Sequence, residues 1–211
     1  MSEPEQKTGN KLVLVGDSGV GKTCLISRFI SGSFDKEEQT TNGASYASKL
    51  IEYPNLNKNL VLDIWDTAGQ EKFRSLTKFF YKDALMVIMV YDITRRESFD
   101  NLKNYWYEEM KDNTEPNIVL AIAGNKCDLY EKEEFEKTEG EKFAKEIGAI
   151  FHETSALNSN GINELFTEIA MKFSSPNVSS ENKSVENNKE DKHKLTLSNS
   201  KGNIKKGKKC C

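Results

Sequence analysis

The chain lacks the features typical of membrane-spanning proteins, of secreted proteins and of cysteine-ligated metal sites. No apolar run reaches the about eighteen residues that a membrane-spanning helix needs, and Met1 to Lys11 is too polar for a signal-peptide core. Only four of its 211 residues are cysteines, and no two of them have the C-x-x-C spacing of a metal site. These absences favour a protein of the reduced cytosol with no transmembrane segment.

Charge and composition divide the chain at about Ser174. The stretch 174–211 contains nine lysines and four acidic residues, a net charge of +5, whereas the rest has 21 basic and 29 acidic residues, a net charge of −8. This tail is rich in Ser, Asn, Lys and Glu and too poor in apolar residues to bury a core. We therefore predict a flexible N-terminus at 1–9, one ordered domain at 10–173 and a disordered tail at 174–211.

Apolar periodicity in the ordered part alternates between strand and helix. Strands are predicted at 11–15, 44–52, 59–65, 84–91, 118–124 and 149–154, and helices at 22–31, 72–81, 97–112, 135–147 and 161–173. The second and third strands are joined by a loop too short for a crossover helix, so they should pair antiparallel, whereas helices separate the others, which should run parallel. The prediction is an α/β fold: a six-stranded, mostly parallel sheet with one antiparallel strand and helices on both faces. Side chains predicted for its core include Phe143, Phe151, Phe166 and Met171.

A phosphate-binding pattern follows the first predicted strand. The residues Gly16 to Thr23 read GDSGVGKT, a complete G-x-x-x-x-G-K-[ST] loop between a strand and a helix. Its glycines allow consecutive backbone N–H groups to converge on a phosphate. Lys22 adds positive charge toward the β- and γ-phosphates, and the Thr23 hydroxyl is a ligand for Mg²⁺. The loop predicts a nucleoside triphosphate without specifying its base.

The base is indicated by Asn125-Lys126-Cys127-Asp128, which follows a buried strand about one hundred residues downstream. The Asp128 carboxylate can accept hydrogen bonds from the N1–H and N2–H₂ groups of guanine. Adenine offers no such pair of donors and would leave the carboxylate unpaired, so this position favours guanine strongly.

A third motif, Trp65 to Glu71 (WDTAGQE), lies between the other two. Asp66 can hold Mg²⁺ through water, and Gly69 can bring its N–H to the γ-phosphate. The Gln70 amide can orient the water that attacks the γ-phosphate. Together the motifs predict hydrolysis of GTP.

In this order, GDSGVGKT, WDTAGQE, NKCD and the ETSA at Glu153 to Ala156 resemble the small GTPases of the Ras superfamily. The Trp of WDTAGQE, the YDIT at Tyr91 to Thr94 and the final Cys210-Cys211 narrow the resemblance to the Rab family. The segment Thr41 to Tyr46 is similar to that of endosomal Rabs. The resemblance, which covers 10–173 and the last two residues, implies a P-loop GTPase fold, GTP and GDP as ligands and Mg²⁺ as cofactor.

The resemblance also implies the role of each site residue. Gln70 is the catalytic residue, and Thr23, Thr41 and Asp66 hold the metal. The nucleotide contacts fall on Ser18, Gly19, Val20, Gly21, Lys22, Thr23, Cys24, Phe34, Thr41, Gly69, Asn125, Lys126, Asp128, Ser155, Ala156 and Leu157. Phe34 would lie against the purine, and the backbone at 155–157 would meet the guanine O6.

The expected partners are also those of Rab proteins. They are an exchange factor, a GTPase-activating protein, a GDP dissociation inhibitor, an escort protein with its geranylgeranyltransferase, and GTP-dependent effectors. Cys210 and Cys211 are the expected lipidation sites, and five nearby lysines add attraction to anionic membranes. The chain is therefore expected on the cytoplasmic face of intracellular, endosomal membranes, with a cytosolic pool. No nucleic-acid partner is expected, and the G domain should be monomeric. Asn42 stands where the family usually has Ile, so effector identity is not implied.

Two alternatives stay open on the residues alone. The first is a P-loop nucleotide kinase that uses ATP, against which the N-K-x-D motif argues. The second is a GTP-bound scaffold that does not cycle, against which Gln70 argues.

Overall fold

The computed structural model describes residues 9–36, 41, 43–53, 58–69 and 74–175. Gln70, Asn42 and the lipidation sites Cys210 and Cys211 lie outside the described residues, as do the first eight residues and nearly all of the predicted tail.

Six strands form a single sheet in the order β2-β3-β1-β4-β5-β6. They are β1 (Asn10–Val15), β2 (Ala44–Tyr53), β3 (Lys58–Thr67), β4 (Met86–Asp92), β5 (Val119–Asn125) and β6 (Ile150–Thr154). The strands β2 and β3 pair antiparallel, and every other neighbouring pair is parallel. The predicted mixed sheet is confirmed, and its strand limits differ from the predicted ones by only one or two residues.

The helices cover both faces of this sheet. They are α1 (Lys22–Ser31), α2 (Arg74–Tyr81), α3 (Arg96–Asn101), α4 (Tyr107–Asn113), α5 (Lys137–Glu146) and α6 (Ile162–Ser174). A π-helical turn, Leu102–Trp106, joins α3 to α4, so the single helix predicted at 97–112 contains a local change of helix type. A short 3₁₀ segment, Cys127–Lys132, was not predicted. Both features depend on local hydrogen bonding, which apolar periodicity does not report.

Each strand contributes to two apolar layers because successive side chains point to opposite faces. Leu12 and Leu14 of β1 pack with α1 and α6, whereas Val13 and Val15 pack with the helices of the other face. Both layers are continuous with the central strand β4, all of which is buried.

The predicted core residues have three different outcomes. Phe166 is fully buried, and Phe143 and Phe151 are partly buried at the edge of the second layer. Met171, however, is 47% exposed, so its prediction as a core residue was wrong. The buried face of α6 runs through Leu165, Phe166, Ile169 and Ala170. Met171 lies about 100° further around the helix and faces solvent.

The sheet brings the sequence motifs together at one edge. The phosphate-binding loop follows β1, Asp66 lies near the end of β3, Asn125 ends β5, and Ser155 follows β6. These are carboxyl ends of parallel strands, where open α/β sheets bind ligands. Within the described ranges, no helix has both the length and the apolar character needed to cross a bilayer.

Candidate nucleotide-binding site

A cavity of about 450 Å³ lies at this edge of the sheet, within the usual size range of small-ligand pockets. Most of the predicted nucleotide contacts line it: Ser18, Gly19, Gly21, Lys22, Thr23, Cys24, Phe34, Thr41, Gly69, Asn125, Lys126, Asp128, Ala156 and Leu157. Asp35, Lys36, Thr67 and Leu129 also line it and were not predicted.

Three predicted site residues of the described part do not line the cavity and are buried next to it. The Val20 side chain is fully buried in the apolar layer below the phosphate-binding loop. Ser155 is likewise buried and reaches the site through Asp128. Asp66 is buried beneath Thr23 and Thr41. Gln70 lies outside the described residues.

The backbone of the phosphate-binding loop curls around the Lys22 ammonium. Lys22 Nζ donates to the carbonyl oxygens of Gly16 at 2.8 Å and Asp17 at 3.0 Å. Burial lowers the pKa of Lys22 to about 8, and the carboxylates of Asp66 and Asp17 act in the opposite direction. A bound phosphate would supply the negative charge that this buried cation lacks.

A side chain would clash at two glycines of the site, one in the phosphate-binding loop and one just after β3. Gly21 has φ +96°, and a Cβ there would lie 2.4 Å from the side-chain nitrogen of Asn125. A Cβ on Gly69 would lie 2.3 Å from the backbone of Asp17. The segment just after β3 therefore packs its backbone directly against that of the phosphate-binding loop.

An oxygen-rich corner lies beside Lys22. Thr23 Oγ1 donates to Asp66 Oδ2 at 2.6 Å, and Thr41 Oγ1 lies 2.7 Å from Thr23 Oγ1 and 3.2 Å from Asp66 Oδ2. The other carboxylate oxygen, Asp66 Oδ1, is buried and has no hydrogen-bond partner among the described residues. Burial raises the pKa of Asp66, against the stabilising effect of these hydroxyls and of Lys22. Two hydroxyls and a carboxylate with an unused oxygen fit Mg²⁺, a hard cation that prefers oxygen ligands.

The opposite end of the cavity carries the side chains predicted to select the base. Ser155 Oγ donates to Asp128 Oδ1 at 2.5 Å, which fixes the orientation of that carboxylate. Lys126 has a left-handed backbone, φ 67°, and its ammonium bonds Gly19 O at 2.8 Å and Asp92 Oδ2 at 2.6 Å. The N-K-x-D segment is thus tied directly to the phosphate-binding loop.

Arg28 of α1 stabilises the loop after β6, a role that sequence reasoning missed. Its Nε donates to Ala156 O at 2.7 Å, and its Nη2 donates to Leu157 O at 3.1 Å. The same guanidinium lies 5.7 Å from the centroid of the Phe34 ring. One side chain therefore holds both the loop and the aromatic residue at the predicted base pocket.

Comparisons with known proteins agree with this geometry. The model of the Ras family matches residues 11–175. Human Ras-related protein Rab-22A is 48% identical over 166 residues, which cover 78% of this chain and 84% of the relative. Rab-8B of Pongo abelii is 43% identical over 160 residues, 76% of each chain. Rab-13 of Canis lupus familiaris is 41% identical over 160 residues, 76% of this chain and 77% of the relative.

The chain belongs to the Ras family, in its Rab branch. As a Rab GTPase it binds guanine nucleotides and acts in vesicle trafficking through regulators and effectors. The ATP-using kinase and the non-cycling scaffold are not favoured.

Several contacts that organise the site of this Rab protein were not predicted from its motifs, whether they involve a predicted site residue, Asn125, or residues outside the prediction, such as Arg95. Asn125 Nδ2 donates to Val20 O at 2.7 Å, and Arg95 Nη2 donates to Ser18 O at 2.9 Å. Thr154 Oγ1 donates to Asn125 Oδ1 at 3.2 Å. Asp92 and Thr154 stand inside the YDIT and ETSA motifs, but the sequence analysis assigned neither of them to the site. Arg28 and Arg95 bond to backbone carbonyls and leave no fixed spacing in the sequence.

Proposed function

We propose that this Rab protein binds GTP and GDP in the 450 Å³ cavity and hydrolyses GTP with Gln70 as the residue that orients water. The observation that carries the proposal is the meeting of three distant motifs around one cavity. Phosphate-binding groups line one end of it, and Asp128, supported by Ser155, lines the other.

Guanine would be selected by the Asp128 carboxylate. Its Oδ1 already accepts from Ser155, and both carboxylate oxygens retain lone pairs for the N1–H and N2–H₂ groups of the base. Lys126 would lie along the ring, Phe34 would cover it, and the backbone at 155–157 would meet the O6. The other nucleotide contacts are those of the phosphate-binding loop, Ser18 to Cys24, and Asn125.

The γ-phosphate would be sensed by Thr41 and Gly69. Gly69 lies against the phosphate-binding loop, and the Thr41 hydroxyl lies at the Asp66 corner. Thr23 and Thr41 would hold Mg²⁺ directly and Asp66 through water. When bound, the metal neutralises charge on the β- and γ-phosphates. Loss of the γ-phosphate would release Thr41 and Gly69, and partner proteins would read that change.

Hydrolysis without a partner would be slow, on the order of 10⁻⁴ to 10⁻² s⁻¹, and an activating protein would accelerate it about 10³- to 10⁵-fold. The cycle would also require an exchange factor, a GDP dissociation inhibitor and an escort protein that presents the chain for prenylation. These partners, and a monomeric G domain, are inferred from the Rab resemblance.

We propose the domain limits given above, with 10–173 as the G domain and 174–211 as a membrane-targeting tail. The match of the Ras family model to 11–175 supports the first limit. Geranylgeranyl groups on Cys210 and Cys211 would anchor the chain to the cytoplasmic face of membranes, in exchange with a cytosolic pool. The endosomal assignment rests on the segment Thr41 to Tyr46, and imaging of the tagged chain with endosomal markers tests it.

The test of nucleotide selection is displacement of fluorescent GDP by unlabelled GTP, ATP and XTP, followed by release of phosphate from bound GTP. We expect displacement by GTP alone at micromolar concentrations and slow release of phosphate. Equal displacement by ATP would refute the guanine assignment. Binding of GTP with no release of phosphate over many hours would favour the non-cycling scaffold instead. Capture of partners by the GTP-loaded but not the GDP-loaded protein tests the switch.

A further inference from the structure

The carboxylate of Asp17, inside the phosphate-binding loop, is held from outside the cavity by two donors of one helical run. Asn101 Nδ2 donates to Asp17 Oδ2 at 2.7 Å, and Trp106 Nε1 donates to Asp17 Oδ1 at 2.8 Å. The Trp106 side chain is fully buried in the apolar layer, which fixes the position of its indole N–H. Both carboxylate oxygens therefore have a partner on a rigid element.

The π-helical turn brings these two donors to the same side of the helix. Asn101 is the last residue of α3, and Trp106 is the last residue of the π turn, five positions later. In a regular α-helix, residues five apart point about 140° away from each other. The wider π turn, closed by the N–H of Tyr107 on Leu102 O, reduces this angle. Such turns occur often at functional sites, and here its effect is a pair of convergent donors.

Asp17 is also the point at which three parts of the site meet. Its carbonyl oxygen accepts from Lys22 Nζ at 3.0 Å, and its backbone lies where a Cβ on Gly69 would come within 2.3 Å. A shift of Asp17 would therefore move the Lys22 ammonium, the loop N–H groups and the contact with the end of β3 together. Misplacement of binding groups by about 1 Å is enough to weaken a site strongly. The two hydrogen bonds from Asn101 and Trp106, here called the anchor of Asp17, therefore matter for ligand binding.

Charge gives the anchor a second effect. Asp17 is an anionic side chain in a loop that binds phosphates, and it does not line the cavity. The two donors hold its carboxylate on the helix side of the loop and share its charge. Without them, the carboxylate would be free to turn toward the phosphates and repel them.

We propose that Asn101 and Trp106 are positioning residues for the nucleotide, which act through Asp17 to hold the phosphate-binding loop in its receptive form and to slow nucleotide release. This inference rests on the proposed nucleotide function of the cavity. Neither residue lines the cavity, so the proposal connects α3 and the π turn to nucleotide affinity through Asp17 alone.

The test is the rate of GDP dissociation from the full chain in Mg²⁺, measured with fluorescent GDP and excess unlabelled GDP. We expect Asn101→Ala to raise this rate about tenfold, the effect of losing one hydrogen bond to a charged group. Asp17→Asn should raise it to a similar degree, because the amide offers one acceptor for two donors. The double variant should fall short of the product of the two single effects, because both remove the same contact.

The matched control is Asn113→Ala. Asn113 lies on the same helical run and also donates a side-chain hydrogen bond, from Nδ2 to Glu109 O at 2.7 Å, but this bond stays within its own helix. Its GDP dissociation rate should equal that of the unaltered chain. A tenfold rise in this control would mean that any weakening of the helix has the same effect, which would overturn the proposal.

The emission of Trp106 gives a second measurement that does not depend on variants of the anchor. The sequence contains two tryptophans, so Trp65→Phe leaves Trp106 as the single tryptophan. We expect its emission to change when EDTA and phosphatase remove GDP, since its N–H is bonded to the loop that binds the phosphates.

Unchanged GDP dissociation in Asn101→Ala and Asp17→Asn, with Trp106 emission insensitive to GDP removal, would overturn the positioning role and leave the proposed function intact. Failure of the unaltered chain to bind GDP would overturn the proposed function itself, and this inference with it.

Discussion

At the scale of single residues, the proposed selection of guanine depends on one side chain, Asp128. Ser155 Oγ donates a hydrogen bond to Asp128 Oδ1 at 2.5 Å, which restricts the rotation of the carboxylate. In Asp128→Asn, the same serine hydroxyl would hold the amide oxygen and turn the amide N–H₂ toward the base. The variant should lose GTP affinity by about 10²-fold or more and gain affinity for XTP, whose 2-oxo group accepts from that amide. Competition of GTP and XTP for the cavity measures the exchange.

Asp112→Asn is the control for this substitution, because Asp112 is exposed on α4 and should leave both affinities unchanged. Retention of GTP affinity by Asp128→Asn without any gain for XTP would show that Asp128 does not contact the base.

The proposed catalytic role of Gln70 rests on its position in the motif, since this residue lies outside the described part of the chain. Gln70→Leu removes the amide that orients water and leaves the phosphate contacts of the loop in place. Single-turnover hydrolysis should fall by about tenfold or more, with GTP affinity unchanged. Thr23→Asn should have the opposite effect on the nucleotide state. It removes the hydroxyl that donates to Asp66 and should lower the affinity for GTP more than the affinity for GDP. Hydrolysis by Gln70→Leu at the rate of the unaltered chain would argue decisively against this mechanism.

At the scale of elements, periodicity and motif spacing predicted the sheet, its one antiparallel strand and the main helices. These features follow from burial of whole faces, which a sequence records at regular intervals. The π turn at Leu102–Trp106 and the 3₁₀ segment at Cys127–Lys132 were not predictable in this way. Prediction of the site has a similar limit. Contiguous motifs contain most of the residues that line the cavity, whereas Arg28 and Asn101 make contacts between segments that are distant in the sequence.

The packing of α6 against α1 gives a prediction at this scale. The Phe166 ring stacks on Phe29 with centroids 3.9 Å apart and planes 6° apart, and Phe166 is fully buried. Phe166→Ala should lower the free energy of unfolding by about 3 to 5 kcal/mol, because it removes the buried ring and leaves a cavity. Met171→Ala on the same helix should change it by less than about 0.5 kcal/mol, since Met171 faces solvent. Urea unfolding of nucleotide-bound protein compares the two, and equal losses would contradict the assignment of the buried face.

At the scale of the whole molecule, the opposite charges of the two parts of the chain suggest that one part binds the nucleotide and the other attaches to the membrane. The part before Ser174 carries a net charge of −8 and contains every residue of the cavity, whereas the tail carries +5 and ends in two cysteines. An anionic body is repelled by an anionic membrane and a basic tail is attracted to it, so attachment should depend on the tail alone. Nucleotide binding and membrane attachment are then separable properties.

Membrane attachment tests this separation with three forms of the chain. Deletion of Cys210 and Cys211 should make the protein wholly soluble, because lysines alone are screened over about 8 Å at physiological salt and insert no hydrocarbon. Replacement of the five lysines near the end by Gln should leave a prenylated protein that still binds vesicles but prefers anionic lipid less; these are Lys201, Lys205, Lys206, Lys208 and Lys209. Flotation with neutral and with anionic liposomes measures both effects, and GDP dissociation from all three forms should be the same. If the cysteine-free form floats as well as the prenylated one, the terminal pair is not the anchor, and attachment must then come from the basic tail or from the G domain.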